Sequence, residues 1–208
     1  MKNILIVSSS ANGDRSVSNG LAARFVDSLL AADPGATVVL RDVGANPIPH
    51  LTADTVAAIK GTPESEAATR ARALSDALIA ELQAADLIVI ASPMYNFGIS
   101  STLKAWFDHV LRAGVTFRYT ESGPEGLLKG KKAVLIQSRG GFYSEGAGAA
   151  LNSQEGHIRT MLGFAGVDDV TVVNAEKLAF GPDAAEASID AAARRLAGFV
   201  EEELALAA

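Results

Sequence analysis

The sequence predicts an α/β fold in which five parallel strands form a sheet between two layers of helices. Short runs such as Leu87–Ala91 consist of apolar residues, which is typical of strands buried on both faces. These runs alternate with segments in which apolar residues recur every three or four positions, as on one face of a helix. With 208 residues, of which 49% are hydrophobic, the chain can bury a substantial core, so we expect one domain over residues 1–208.

The individual elements follow from the same patterns. Strands are predicted at residues 3–8, 37–43, 87–92, 132–138 and 170–174. Helices are predicted around residues 21–29, 52–60, 74–82, 102–112, 151–165 and 183–206. Pro93 ends the third strand, because proline has no N–H to donate to a neighbouring strand.

The residues after the third strand predict a capped helix and then a turn. Ser100 and Ser101 can cap the helix over 102–112, and Gly114 is expected to close its carboxyl end. Residues 115–128 surround a Gly/Pro turn and look like an excursion from the strand–helix alternation. Five strands with these connections fit the order 2-1-3-4-5, so the sequence predicts a flavodoxin-like three-layer sandwich with helices on both faces of the sheet.

Composition excludes several classes of function. A net charge of −6 argues against nucleic acid as a partner, because neutralising phosphates takes an excess of Lys and Arg. The chain has no cysteine, so any redox chemistry requires a bound cofactor. The histidines lack the spacing of metal ligands, and we expect no metal site. No apolar run reaches the roughly 18 residues that span a membrane, and we expect a cytoplasmic protein.

Three loops follow the first, third and fourth predicted strands. We name them the serine loop (Ser9–Ser18), the aromatic loop (Met94–Phe97) and the glycine loop (Ser138–Gly141). The strands before them are neighbours in the order 2-1-3-4-5. Open α/β sheets bind ligands at the carboxyl ends of their strands, so the three loops together form the candidate site.

The serine loop leads into a helix N-terminus, where free N–H groups favour an anion. Ser10, Ser16 and Ser18 could add hydroxyl donors to a phosphate, although serines also serve as ordinary helix caps. In the aromatic loop, Tyr95 and Phe97 offer apolar walls, and the N–H groups near Asn96 could donate to a ring. The alternative for that loop is an ordinary strand-to-helix turn with partly buried aromatics.

Gly140 and Gly141 would let backbone N–H groups approach a ligand closely and stabilise negative charge on a reduced ring. The alternative is a plain glycine turn. None of the loops matches the G-x-G-x-x-G or P-loop patterns. A phosphate site beside a flat slot with aromatic walls fits FMN, and no second phosphate motif indicates a dinucleotide.

Three segments resemble the FMN-dependent NADH azoreductases, also called FMN-dependent NADH:quinone oxidoreductases. They are Pro93–Phe97, Ser138–Gly141 and Ala113–Thr120, and the similarity runs from Lys2 to the final helix. The resemblance implies a homodimer with one FMN per subunit and active sites at the interface. It implies ping-pong catalysis, in which NADH or NADPH reduces FMN and leaves before a quinone or azo compound takes the electrons. No side chain is then needed as a catalytic acid or base.

Carried over by position, the resemblance implies cofactor contacts in all three loops. These contacts are Ser10, Ser16, Val17, Ser18, Met94, Tyr95, Asn96, Phe97, Ser138, Arg139, Gly140 and Gly141. Tyr119 and Phe164 would line the substrate pocket and face the partner's flavin, and Tyr143 could reach flavin or substrate. The chain departs from the family at residues 11–15 and 142–155, which affects substrate preference more than flavin binding.

Other functions of the same fold fit less well. An electron carrier like flavodoxin would be a shorter, more acidic monomer without the excursion at 115–128. A phospho-receiver module needs acidic residues after the first strand and an Asp after the third, where this chain has serines and Pro93. A flavin reductase that releases reduced flavin or reduces metal ions is a closer alternative. The choice between NADH and NADPH stays open.

Overall fold

The computed structural model describes residues 2–207. Its strands are β1 (Asn3–Ser8), β2 (Thr37–Asp42), β3 (Leu87–Pro93), β4 (Phe117–Thr120), β5 (Gly123–Gly126), β6 (Lys132–Ser138) and β7 (Asp169–Ala175). Its α-helices are α1 (Val17–Ala32), α2 (Ala53–Lys60), α3 (Glu66–Ala84), α4 (Ser101–Val110), α5 (Ser153–Ala165) and α6 (Pro182–Ala207). Short 3₁₀ turns lie at Gly13–Arg15 and Gly146–Leu151.

The main sheet has five parallel strands in the order β2-β1-β3-β6-β7. This is the predicted order, since β4 and β5 pair only with each other in a separate antiparallel hairpin. At the centre of the sheet, Val89 pairs with Ile6 on one side and Val134 on the other. The loops after β1, β3 and β6 therefore follow three adjacent strands.

The strand β3 is buried on both faces, as its apolar sequence predicts. Ile88 and Ile90 belong to a core that includes residues of α3, α4 and α5, whereas Leu87 and Val89 belong to a second core with α1 and α6. Trp106 lies completely buried in the first core, as expected of a residue on the inner face of α4. Two helical layers thus fix the central strands from both sides.

Several boundaries differ from the sequence prediction by one or a few residues, and two of these differences are informative. Ser100 caps α4 as expected, but the helix ends at Val110 and is capped by Leu111, so the prediction that Gly114 closes it is wrong. Gly114 has a φ of +77° and donates its N–H to the carbonyl of Phe117, which turns the chain into β4. The helix predicted from residue 151 begins at Ser153, because the preceding residues form a 3₁₀ turn.

The hairpin of β4 and β5 packs against the end of α5. A Cβ atom at Gly126 would lie 2.1 Å from the backbone nitrogen of Gly166, so only glycine permits this approach. The Leu128 N–H donates to the carbonyl of Ala165 at 2.8 Å, just after the hairpin. This contact gives the excursion predicted at residues 115–128 a fixed position. Within residues 2–207, no helix is both long and apolar enough to cross a membrane.

Candidate functional site

The structure brings the three loops together at one rim of the sheet. The N–H of Ala11 in the serine loop donates to the hydroxyl of Tyr95 at 3.0 Å. The N–H of Met94 donates to the carbonyl of Ser138 at 2.8 Å. Direct hydrogen bonds therefore connect the aromatic loop to both of its neighbours.

The serine loop ends in the first turn of α1. Ser16 caps the helix by accepting the Asn19 N–H, and its hydroxyl lies 3.2 Å from that of Ser18. Ser10, Ser16 and Ser18 are all buried. Within the described part of the chain, the N–H groups of Val17 and Ser18 have no acceptor. These donors and the positive end of the helix dipole favour a bound anion.

Two residues outside the predicted phosphate contacts shape the serine loop. A Cβ atom at Gly44 would lie 2.1 Å from the carbonyl oxygen of Ser10, so the loop after β2 can approach only because residue 44 is glycine. The Tyr95 hydroxyl, besides its bond from Ala11, lies 3.4 Å from the hydroxyl of Ser10. Tyr95 therefore braces the serine loop in addition to the apolar surface expected of it.

The aromatic loop is a strained turn. Asn96 and Phe97 have φ angles of +47° and +70°. Tyr95 and Gly98 exchange two backbone hydrogen bonds of 3.0 Å around them, as in a type I′ turn. A positive φ in a bulky residue such as Phe97 costs on the order of 1–3 kcal/mol and is typical of functional sites. Phe97 is 46% exposed, so this strain does not serve core packing.

The glycine loop has its carbonyl groups fixed by a second segment. Leu178, Ala179 and Lys177 donate their N–H groups to the carbonyls of Arg139, Gly140 and Gly141, respectively, at 2.8–3.2 Å. In a trans peptide, the N–H points opposite to the carbonyl of the preceding residue. The N–H groups of Gly140 and Gly141 therefore point away from residues 177–179, and neither has an acceptor among residues 2–207.

Arg139 occupies a different position from the rest of its loop. Its side chain is fully buried, and the guanidinium donates to Gln154 Oε1 and Glu176 Oε1 at 2.9 Å each. Its own N–H donates to the carbonyl of Ala175. Arg139 was expected among the cofactor contacts, but the structure places its charge behind the loop. Gln154 continues this network to the carbonyl of Ser92 at 2.8 Å.

Glu176 completes the buried network and was not anticipated from the sequence. Its carboxylate accepts hydrogen bonds from Arg139, from the Tyr143 N–H and from the Ser144 hydroxyl. Burial alone would raise the pKa of Glu176, but these three donors lower it below the usual value. Its position in the sequence could have indicated this role, because an acidic residue directly after the last strand lies at the same rim as the three loops.

The three predicted substrate residues fall in two places. The Tyr143 ring lies edge-on to Phe97 with the ring centres 6.0 Å apart, so it belongs to the rim. Tyr119 is 72% exposed on the hairpin, and Phe117 lies between it and Phe164. In the described chain, no aromatic contact joins Tyr119 or Phe164 to the three loops.

A cavity of about 390 Å³ lies between the serine and aromatic loops. Its lining consists of Ser9, Ala11, Gly44, Tyr95, Asn96, Ile99, Ser100, Ser101 and Thr102. Ser16–Ser18 and Gly140–Gly141 lie outside this lining. No group of three or more potential metal ligands occurs among residues 2–207.

These donors fit a flat anionic molecule such as FMN. Free N–H groups and buried hydroxyls at α1 suit a phosphate dianion without requiring a lysine. The free N–H groups of Gly140 and Gly141 suit the acceptor atoms of a flavin ring, and Phe97 and Tyr143 supply exposed aromatic surface near them. The site thus offers donors for both parts of the cofactor.

Comparisons with known proteins agree with this chemistry. A family model described as flavodoxin-like fold matches residues 2–200. An FMN-dependent NADH:quinone oxidoreductase of Hyphomonas neptunium is 54% identical over 95% of each chain. One from Rhizobium johnstonii is 45% identical over the full length of both chains. The crystal structure of an azoreductase from Bacillus anthracis has a TM-score of 0.89 and 31% identity, and the match covers 97% of this chain and 100% of that one.

Proposed function

The chain belongs to the family of FMN-dependent NADH:quinone oxidoreductases, which has the flavodoxin-like fold, and on this premise we propose how it works. It is an enzyme that uses FMN to transfer electrons from NADH to quinones and to cleave aromatic azo bonds to amines. The structural neighbour named azoreductase supports the azo activity. The glycine loop gives the most direct support for flavin binding. Its carbonyls are held by residues 177–179, and the N–H groups of Gly140 and Gly141 remain free at the rim.

We assign the two ends of the cofactor to different loops. The hydroxyls of Ser10, Ser16 and Ser18 and the N–H groups of Val17 and Ser18 would hold the phosphate. The N–H groups of Asn96, Phe97, Gly140 and Gly141 would hold the ring, together with the backbone and side chains of Met94, Tyr95 and Ser138. Arg139 would act from behind the loop, because its guanidinium is turned inward.

Bound FMN supplies the redox chemistry, since it can accept a hydride from NADH and deliver two electrons to an acceptor. The protein contributes to catalysis by binding the cofactor and by electrostatic stabilisation. The carbonyls of Gly140 and Gly141 are already fixed, so their preorganised N–H donors would stabilise negative charge at the ring without reorganisation. No titratable side chain of the rim is required as a proton donor in this scheme, because water can supply the protons that accompany the electrons. Each cycle delivers two electrons, so a quinone needs one NADH and an azo bond needs two.

A homodimer would complete the substrate pocket. Tyr119 is exposed on a hairpin that is fixed against the end of α5, and the ring of Phe117 contacts both Tyr119 and Phe164. Tyrosines are enriched at interfaces, because the ring is apolar and the hydroxyl can form a hydrogen bond. We propose that Tyr119 and Phe164 face the flavin of the partner subunit. We also propose that the protein is cytoplasmic, as expected from the sequence.

The identity of the cofactor tests this function. The purified protein is expected to be yellow, and heat should release FMN that chromatography separates from FAD and riboflavin. A colourless preparation should recover a flavin spectrum when FMN is added to it. Failure to bind FMN under both conditions would contradict the assignment. Light scattering should give the mass of two chains, and a monomer would contradict the interface placement of Tyr119.

A further inference from the structure

The function described so far assigns no role to Glu176, which lies at the centre of the buried cluster behind the glycine loop. Glu176, the first residue after β7, is 7% exposed and connects three parts of the molecule. It accepts hydrogen bonds from Arg139 Nη1 and the Tyr143 N–H, both at 2.9 Å, and from the Ser144 hydroxyl. Its own N–H donates to the hydroxyl of Ser188 in α6 at 2.8 Å.

The position of Glu176 in the chain adds a second set of contacts. Residues 177–179, which follow it directly, bind the carbonyls of residues 139–141. The Glu176 side chain binds residues 143 and 144 on the other side of the two glycines. One short segment at the end of β7 therefore holds the loop before and after Gly140 and Gly141.

We propose that Glu176 is a positioning residue for the flavin, which holds residues 139–144 in the binding conformation without touching the cofactor. This inference rests on the proposed function, because it requires FMN at the rim. Glycines have more conformational freedom than other residues, so fixing Gly140 and Gly141 in advance lowers the entropy lost on binding. The ring of Tyr143 is held with them, since a Cβ at Gly141 would lie 2.9 Å from that ring.

The alternative is that Glu176 only stabilises the fold, and two substitutions separate the roles. In Glu176→Gln, the amide oxygen can still accept hydrogen bonds from Arg139 and the Tyr143 N–H, whereas in Glu176→Ala all three bonds are lost. Glu155→Gln is a matched control. The Glu155 carboxylate lies 3.8 Å from Arg139 and accepts a hydrogen bond from Arg159, but it forms none with residues 140–144.

The first measurement is FMN affinity of the apoprotein, from the quenching of flavin fluorescence. Loss of preorganisation should raise the Kd of Glu176→Ala about tenfold or more, whereas Glu176→Gln should change it less than about threefold. Glu155→Gln should bind like the wild type. If Glu176→Ala lowers the melting temperature but leaves the Kd unchanged, the role is structural and the proposal is overturned.

The second measurement is amide hydrogen exchange in the apoprotein. Exchange at Tyr143 and at residues 177–179 should be faster in Glu176→Ala than in the wild type and in Glu155→Gln, and equal rates would contradict the proposal. If Glu176→Ala does not fold, Ser144→Ala removes one donor and should weaken FMN binding about threefold, and an unchanged Kd would count against the proposal. A wild-type protein that does not bind FMN would overturn the proposed function instead.

Discussion

The serine loop and the glycine loop present the same kind of group, free N–H donors, but they are held in different ways. In the serine loop, the donors at Val17 and Ser18 are the first turn of α1, and the Ser16 cap lies beside them in sequence. In the glycine loop, the donors at Gly140 and Gly141 are fixed by residues 176–179, more than thirty positions along the chain. The donors at Val17 and Ser18 are thus organised locally, and those at Gly140 and Gly141 by tertiary contacts.

This difference separates two ways of building a binding site. A helix N-terminus offers donors wherever a capped helix begins, because its first N–H groups have no partner within the helix. A glycine loop has no such default conformation, so its donors are aimed only if other residues fix its carbonyls. Substitutions near the serine loop should therefore act directly on phosphate binding, whereas the glycine loop should respond to changes at distant residues.

The largest effect is expected at Gly44, where the loop after β2 packs directly against the backbone of the serine loop. A methyl group at this position would lie 2.1 Å from the Ser10 carbonyl oxygen, so Gly44→Ala must displace backbone. We expect a loss of about 3 kcal/mol in the free energy of unfolding, the upper part of the range for overpacking. Chemical denaturation measures it, and Gly20→Ala, which has open space in α1, should be neutral or stabilising. A stable Gly44→Ala protein with normal FMN affinity would contradict this contact.

A smaller effect isolates the phosphate end. Removing both hydroxyls in the Ser16→Ala/Ser18→Ala variant should weaken FMN binding by about 100-fold, because each hydrogen bond to a charged group contributes about 1.5 kcal/mol or more. Riboflavin has no phosphate, so its affinity should be almost unchanged. Titrations with FMN and with riboflavin measure how much the Kd of each flavin changes. Ser9→Ala is the control, since the Ser9 hydroxyl donates to the carbonyl of Ala91. An equal loss for both flavins would place the phosphate elsewhere.

The smallest effect concerns pH and the glycine loop. The pKa of Glu176 is lowered in the folded protein, so its carboxylate stabilises the fold above the ordinary value of 4.5 and loses this contribution as the pH falls through the folded pKa. On acidification from about pH 6 to about pH 3, the wild type should therefore lose more in melting temperature than Glu176→Gln, which has no carboxylate to protonate. Parallel pH curves for the two proteins would show that the charge has no such role.

The sequence reveals the locally determined part of this account and misses the rest. The apolar sequence of β3 identifies a strand that is buried on both faces, and Ser100 marks the start of α4 by capping it. The inward turn of Arg139 is not visible in the sequence, because its partners Gln154 and Glu176 come from other elements. The prediction for Gly114 is wrong because a glycine shortly after a helix can form a turn instead of capping the helix.

The central claim is that this chain passes electrons from NADH to a quinone through FMN bound at the rim. Anaerobic stopped-flow spectroscopy tests it most directly, with NADH mixed first and a benzoquinone second. NADH should bleach the flavin absorbance in the absence of acceptor, and the quinone should restore it while the flavin stays bound. A flavin that NADH leaves oxidised, or a bleached enzyme that neither quinones nor azo dyes reoxidise, would contradict the account.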